Sequence, residues 1–266
     1  MDDERESVRD NALDNVSGYM IDMDGTIYRG SEVIPGAPEF IERLKKRKIP
    51  FVFLTNNSAW SRVYYFNKLT KMGFRISIDN ILTSTTATIT YLKKRRKGKT
   101  VYPLGTQGFV KEITHDGIRI NEKDPDIVLL AFDTSITYEK INNTYQFLIK
   151  GKELIATHPD DLCPTEKGYD IDIGPFIRMF EDMTGTKATV IGKPNRLMVE
   201  MAAETMNVDP KGMVMVGDRI YTDMQMAVDS GIRSVMVLTG EAKRSDLEGS
   251  GIVPTAIVES VDDIMR

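Results

Sequence analysis

Four short clusters hold the residue types from which metal-assisted or hydrolytic chemistry can be built. Asp22-Met23-Asp24-Gly25-Thr26 places two carboxylates one residue apart, directly after the apolar run Gly18 to Ile21. Where a chain leaves a strand, such a pair can turn toward one point and become a strong locus for a divalent cation, without which the two repel each other. Taken alone, the same five residues also suit a turn with Asp24-Gly25 at its tip and Asp22 as a loop cap. Thr55-Asn56-Asn57-Ser58 follows the apolar Phe51 to Leu54 and offers a hydroxyl, amides and backbone N–H groups to a tetrahedral anion, although it would also cap a helix before Trp60. Gly192-Lys193-Pro194 sets one ammonium after the strand-like run Thr189 to Ile191, where an isolated lysine would be a surface residue. Gly217-Asp218-Arg219-Ile220-Tyr221-Thr222-Asp223 follows Met213 to Val216, with Asp218 leaving the run and Asp223 about one helical turn further on, able to reach back.

The elements that must position these clusters alternate. After some fifteen polar residues that read as a loose leader, short apolar runs (Gly18 to Asp22, Phe51 to Leu54) enclose an amphipathic stretch opened by Pro38 with Phe40, Ile41 and Leu44 on one face. The rhythm returns with Thr189 to Ile191, a helix over Leu197 to Met206, Met213 to Val216, a helix over Tyr221 to Ser230, and Ser234 to Leu238. Between them lies a second alternating block: Val101 to Leu104, a helix after Thr106, Ile127 to Phe132, a helix over Tyr138 to Lys150, and Leu154 to Thr157. Strands alternating with helices imply a parallel sheet covered on both faces, whose ligands bind at the carboxyl edge. All four clusters follow strand-like runs, so one sheet would gather them into one crevice.

Composition limits the alternatives. A chain of 266 residues is about 1.8 typical domain lengths, with 41% apolar and 28% charged residues, as in an ordinary globular protein. The 35 basic against 39 acidic residues leave a net charge of −4, so neither nucleic acid nor an anionic membrane is attracted globally. The basic run Lys93 to Lys99 reads as a solvated helix end rather than a binding patch. One cysteine forms no internal disulfide, the start Met1-Asp2-Asp3-Glu4-Arg5-Glu6 lacks the pattern of a signal peptide, and no run approaches a membrane span; the expectation is a cytoplasmic, soluble protein. Gly105-Thr106-Gln107-Gly108 has the spacing of neither nucleotide-binding glycine loop, and His115 and His158 are not spaced as a zinc pair.

In order and content, Asp-x-Asp-Gly-Thr, Thr-Asn-Asn, Gly-Lys-Pro and Gly-Asp-x-x-x-x-Asp resemble the four motifs of the haloacid dehalogenase superfamily of aspartate-dependent phosphohydrolases. Ala131-Phe132-Asp133, Thr137-Tyr138-Glu139, Ala156-Thr157-His158-Pro159-Asp160 and Val237-Leu238-Thr239-Gly240 are similar to its NagD-type, nitrophenylphosphatase-like subgroup. The resemblance spans about Ser17 to the end. It implies an α/β fold: a Rossmann-like parallel-sheet core (residues 16–83 and 185–266) interrupted by an α/β cap of the C2 type (84–184) that closes over the substrate.

The resemblance also implies roles. Asp22 would be the nucleophile, forming an aspartyl-phosphate, and Asp24 the acid and base that serves the leaving alkoxide and then water. Mg²⁺ would be held by the carboxylates of Asp22 and Asp218 and the Asp24 carbonyl, with Asp223 as a further acidic group. Thr55, Asn56, Lys193 and the N–H groups of Met23 and Asn56 would clamp the phosphoryl oxygens. In the cap, Phe132, Asp133, Leu162 and Cys163 would set specificity; Leu162-Cys163 departs from the polar aromatic residue that some pyridoxal-phosphate-cleaving relatives carry there. The expected protein is a Mg²⁺-dependent phosphatase of small phosphorylated metabolites, a monomer or homodimer. A weakly active phosphometabolite-binding or regulatory protein, or a mutase-like phosphotransferase on the same scaffold, stays open, although intact Asp22, Asp24, Lys193 and Asp218 count against the former.

Overall fold

The computed structural model describes residues 13–165 and 168–265; the leader expected at the start lies, for residues 1–12, outside the described residues. The chain forms two compact units, Met1–Leu54 with Lys68–Ile81 and Val199–Arg266, and Thr55–Asn67 with Leu82–Met198. Numbered along the chain, the elements of the first unit are β1 (Gly18–Asp22), the short antiparallel pair β2 (Tyr28–Arg29) and β3 (Glu32–Val33), α1 (Ala37–Lys46), β4 (Phe51–Thr55), α2 (Arg62–Lys71) and β5 (Ile81–Thr83), then α7 (Leu197–Met206), β13 (Met213–Gly217), α8 (Gln225–Ser230), β14 (Arg233–Val237) and β15 (Ala256–Val258). The chain passes from one unit to the other inside β4, α2, β5 and α7.

The first unit is built on a sheet in the order β15-β14-β13-β1-β4-β5. β1 is central and pairs in parallel with β13, Ile21 opposite Val216, and with β4, Asp22 opposite Leu54. Tyr19, Met20, Ile21 and Met213 to Val216 are all buried, the continuous apolar pattern of strands covered on both faces. α1 forms because Pro38 lies in its first turn, Glu39 favours its N-terminal dipole and Arg43, Lys45 and Lys46 its C-terminal one, while Ala37, Phe40, Ile41 and Leu44 make one buried stripe.

The second unit contains α3 (Ser84–Arg95), β6 (Thr100–Leu104), α4 (Gln107–His115), β7 (Arg119–Ile120), β8 (Ile127–Leu130), α5 (Tyr138–Leu148), β9 (Glu153–Ala156), the antiparallel hairpin β10 (Leu162–Thr165) and β11 (Gly168–Ile171), α6 (Gly174–Thr184) and β12 (Thr189–Val190). Its parallel sheet runs β12-β9-β8-β6-β7. Pro103 is tolerated within β6 because β7 pairs only at Thr100 and Val101, so the edge beyond them requires no further N–H donor. Leu104, Val128, Leu130, Leu154, Ala156, Ile177 and Phe180 share one core. Three of the basic residues at the end of α3 and just after it are paired at the surface, Lys93 with Asp116, Arg96 with Glu153 and Lys99 with Asp126.

The expectation that one sheet carries all four motif strands is corrected. The Gly-Lys-Pro cluster follows β12, which pairs with β9 in the second unit's sheet, Val190 opposite Ala156. Segments 55–67 and 185–198 accordingly belong to the second unit, so this unit is larger than the inserted block 84–184. A two-residue strand carries no periodicity from which its sheet could be inferred. The hairpin β10–β11 and helix α6 go beyond the elements expected from the pattern; Pro164 inside β10 masks the strand signal. The helix expected from Tyr221 instead begins with a widened turn over Ile220–Met224, where the N–H groups of Asp223 and Met224 both donate to Arg219 O at 3.1 Å. Phe180 is fully buried on α6, and Phe180→Ala is expected to destabilise the protein by about 3–5 kcal/mol in urea denaturation. A loss below about 1 kcal/mol would mean that α6 does not close this core.

Candidate active site

In the first unit, sheet register decides which side chains meet. Asp22 ends β1 level with Gly217 at the end of β13, so the next residue, Asp218, emerges beside it. The widened turn brings Asp223 back to the same place, where its Oδ2 accepts the Arg219 N–H at 3.2 Å. One carboxylate oxygen from each of Asp22, Asp218 and Asp223 lies within 4.8 Å of the others, and all three residues are buried. After Asp22 the chain wraps on Met23, whose carbonyl oxygen accepts N–H groups from Thr26, Ile27 and Tyr28. Thr26 Oγ1 donates to Asp218 Oδ1 at 3.3 Å, and the Glu241 N–H donates to Asp218 Oδ2 at 2.7 Å.

Two glycines make this approach possible. Gly25 has φ +88°, and a Cβ there would fall 2.4 Å from Asp218 Oδ2; at Gly240 it would fall 1.8 Å from the same oxygen. Thr239 holds the surrounding loop by donating its hydroxyl to Gly25 O at 2.6 Å, while Arg29 donates to Thr239 O.

Burial, then the neighbouring charges of Asp22 and Asp223, push Asp218 up to about 8. Asp24 is half-buried, and burial raises its carboxyl above the usual range, with Lys68 opposing the shift and Asp22 adding to it. Lys68 itself sits 3.8 Å from the centre of the Tyr28 ring. Three hard oxygen donors on mutually repelling groups, set in a cradle that extra methyl groups would fill, fit a divalent cation. They also fit a proton, the direction in which burial and the two neighbouring carboxylates shift Asp218.

In the second unit, β9 and β12 run side by side, and the Gly192 N–H donates to Thr157 O at 2.8 Å just beyond them. Lys193 is 2% exposed. Asn56, equally buried, bonds to Asp160 and to both backbone polar groups of Lys193, while Thr55 Oγ1 accepts the Asn57 N–H at 3.2 Å. The Phe132 N–H donates to the buried Ser58 hydroxyl at 2.8 Å. The Asp133 carboxylate is engaged by Lys140 Nζ at 2.6 Å and by Ser135. Leu162 is exposed on β10, and the half-buried Cys163 receives a contact from Asn57 Nδ2 at 3.3 Å.

The sequence-derived set thus falls into two groups: Asp22, Met23, Asp24, Asp218 and Asp223 in the first unit, and Thr55, Asn56, Phe132, Asp133, Leu162, Cys163 and Lys193 in the second. Sequence reasoning did not single out Gly240 or Lys68. Gly240 was visible only as part of a family-like segment, and Lys68 carries no local signal because Tyr28, whose ring it faces, is forty residues away in sequence.

A family model described as haloacid dehalogenase-like hydrolase matches residues 19–119, and a second, HAD-hydrolase-like, matches residues 190–264. The acid sugar phosphatase of Staphylococcus saprophyticus is 30% identical over 255 residues, 96% of this chain and 98% of its own. The 5'-nucleotidase YutF of Bacillus subtilis is 31% identical over 246 residues, 92% and 96% of the two chains. Among solved structures, the 4-nitrophenylphosphatase of Thermotoga maritima superposes with a TM-score of 0.91 at 38% identity, covering 95% of this chain and 97% of its own.

Two outcomes follow from the carboxylate cluster. Between about pH 4 and 8 the folded chain retains on Asp218 a proton that the unfolded chain has released, so this contribution to stability falls as pH rises through that window. With chelator present, Asp218→Asn is therefore expected to flatten the decline of Tm with pH; an unchanged slope would show that the proton resides elsewhere. Gly240→Ala is expected to abolish the rise in Tm on adding a divalent cation, whereas a full rise would show that the cradle tolerates a methyl group.

Proposed function

Because the chain belongs to the haloacid dehalogenase-like hydrolases, in their NagD-type, nitrophenylphosphatase-like branch, we propose that it is a Mg²⁺-dependent phosphatase that hydrolyses small phosphomonoesters through an aspartyl-phosphate. The observation that carries this reading is the buried group Asp22, Asp218 and Asp223, with the half-buried Asp24 two residues beyond Asp22.

Asp22 attacks phosphorus, and the ester P–O bond breaks as the acyl phosphate forms. Asp24, whose carboxyl retains a proton more readily than usual, gives that proton to the departing alkoxide. Water then attacks the acyl phosphate, Asp24 takes its proton, and Asp22 is regenerated with release of orthophosphate. The carboxylates of Asp22, Asp218 and Asp223 and the Asp24 carbonyl would hold Mg²⁺, which when bound would supply positive charge to the phosphoryl oxygens. Thr55, the Asn56 and Met23 N–H groups and the Lys193 ammonium are assigned to those same oxygens. The inserted block 84–184 takes the part of the cap, with Phe132, Asp133, Leu162 and Cys163 assigned to substrate choice. The names of the relatives, which specify sugar phosphates, a 5'-nucleotide and nitrophenyl phosphate, support a small organic phosphate as substrate.

Asp22→Asn is expected to lower Mg²⁺-dependent phosphate release by about a thousandfold or more, and excess chelator to silence the wild type; activity near wild type in either case would sink the mechanism. Asp24→Asn is expected to impair turnover of a sugar phosphate, whose alkoxide leaves poorly, far more than turnover of nitrophenyl phosphate, whose phenolate requires little protonation. Equal losses on both substrates would remove Asp24 from the acid role.

A further inference from the structure

Both polar ends of the Asn56 amide are engaged inside the second unit. Its Oδ1 accepts the Lys193 N–H at 2.8 Å, and its Nδ2 donates to Lys193 O at 2.9 Å and to Asp160 Oδ1 at 2.8 Å. One side chain, 137 residues away in sequence, therefore binds the N–H and C=O of a single residue. Both amide hydrogens are used, leaving none for a phosphate. Asn56 is itself anchored, since its carbonyl accepts the Ser84 hydroxyl at 2.5 Å.

The surroundings leave this amide little room to turn. A Cβ on Gly192 would fall 2.6 Å from Asn56 Oδ1 and 2.6 Å from Thr157 O, so only glycine lets the loop approach so closely. The fully buried His158 lies beside Asp160, its Nδ1 3.9 Å from Asp160 Oδ1 and beyond hydrogen-bond distance. On its other side the ring meets Ser58 Oγ at 3.3 Å and Asp172 Oδ1 at 3.6 Å. Although Ser58, His158 and Asp160 follow the order of a hydrolase triad, Ser58 is fully buried and accepts from both the Phe132 N–H and the Thr157 hydroxyl, so it presents no nucleophile.

We propose that Asn56 and Asp160 are positioning residues for Lys193: Asp160 orients the Asn56 amide, and the amide fixes the Lys193 backbone so that its ammonium is held in one direction. The proposal rests on the phosphate-binding role of Lys193 given above and changes the part played by Asn56, whose side chain acts on the lysine rather than on the substrate. A buried ammonium on a four-carbon stem has many rotamers, and clamping its backbone at two points removes most of the freedom from the stem's origin.

A double-mutant cycle tests this on the whole protein, reading kcat/KM for nitrophenyl phosphate and affinity for orthophosphate. Asn56→Ala and Asp160→Ala are each expected to lower kcat/KM by about tenfold or more in the wild type, and by less than about twofold once Lys193→Ala is in place. Asp160→Asn keeps an oxygen acceptor for Asn56 Nδ2 and is expected to retain activity within about threefold. Losses of the same size in both backgrounds would overturn the proposal, because a fold defect or direct phosphate contact acts whether or not the lysine is present. If Lys193→Ala alone leaves activity and orthophosphate binding unchanged, the phosphate-binding role fails instead. Positioning is then judged by hydrogen exchange of the Lys193 amide, which Asn56→Ala and Asp160→Ala are expected to speed by about tenfold; unchanged exchange overturns it.

Discussion

Three buried carboxylates converge at one edge of a parallel sheet, and their mutual repulsion is the constraint that much of the first unit accommodates. β1 and β13 are neighbours in parallel register, with Ile21 opposite Val216, so Asp22 and Asp218 emerge side by side and cannot separate without breaking the central pairing. The backbone closes around this charge instead of diluting it. Gly25 and Gly240 give up side chains so that the Asp218 carboxylate has room, while Thr26 and the Glu241 N–H donate to its two oxygens. Such a cluster requires a cation or a proton to persist, and its carboxylate chemistry favours the divalent cation that the proposed reaction requires.

The second unit solves the converse problem, a buried cation. Lys193 leaves the short strand β12, where two residues of pairing offer little orientation, and its backbone is held by an amide delivered from the end of β4. Asn56 belongs to a hydrogen-bonded set that includes Ser84 and Asp160, so polar bonds as well as the apolar packing of Ala59 hold the segment after β4 in the second unit. The buried Ser58, bonded to Phe132 N–H and Thr157, serves the same end. Buried hydrogen bonds of this kind restrict motion, which suits the role proposed for this loop.

The legible part of the sequence was the part whose signal is local. Gly18 to Asp22, Met213 to Val216 and Leu197 to Met206 carry apolar runs or helical spacing long enough to identify, and Asp22, Asp24, Asp218 and Asp223 stand at their ends or one turn beyond. The sheet to which Thr189–Val190 belongs was not legible, because two residues have no period and their partner Ile155–Ala156 lies more than thirty residues away. The same limit hid the role of Asn56. Asparagine after a strand reads as a cap or an anion ligand, and only the fold shows that its amide meets Lys193 across 137 residues. Asp133 illustrates the opposite case: it was legible as a candidate by family likeness, yet its carboxylate is occupied by Lys140 and Ser135.

In the proposed reaction one side chain, Asp24, both gives and takes a proton, and its setting bears on both halves. Burial and the charge of Asp22 favour its protonated form, which a departing alkoxide needs as a donor. Burial alone would make the second half of the cycle difficult, since a carboxyl that never ionises cannot accept a proton from water. Lys68 and Arg219 oppose the shift, and Lys68 is steadied by the Tyr28 ring rather than left to solvent. In the proposed cycle the charge on Asp22 would pass to the phosphoryl oxygens when the acyl phosphate forms, so the group acting on Asp24 would change from a carboxylate to a mixed anhydride whose anionic oxygens lie on phosphorus. The charge of Asp22 already acts on Asp24 across the Asp-x-Asp spacing, so in that cycle the proton affinity of the second aspartate would depend on the covalent state of the first.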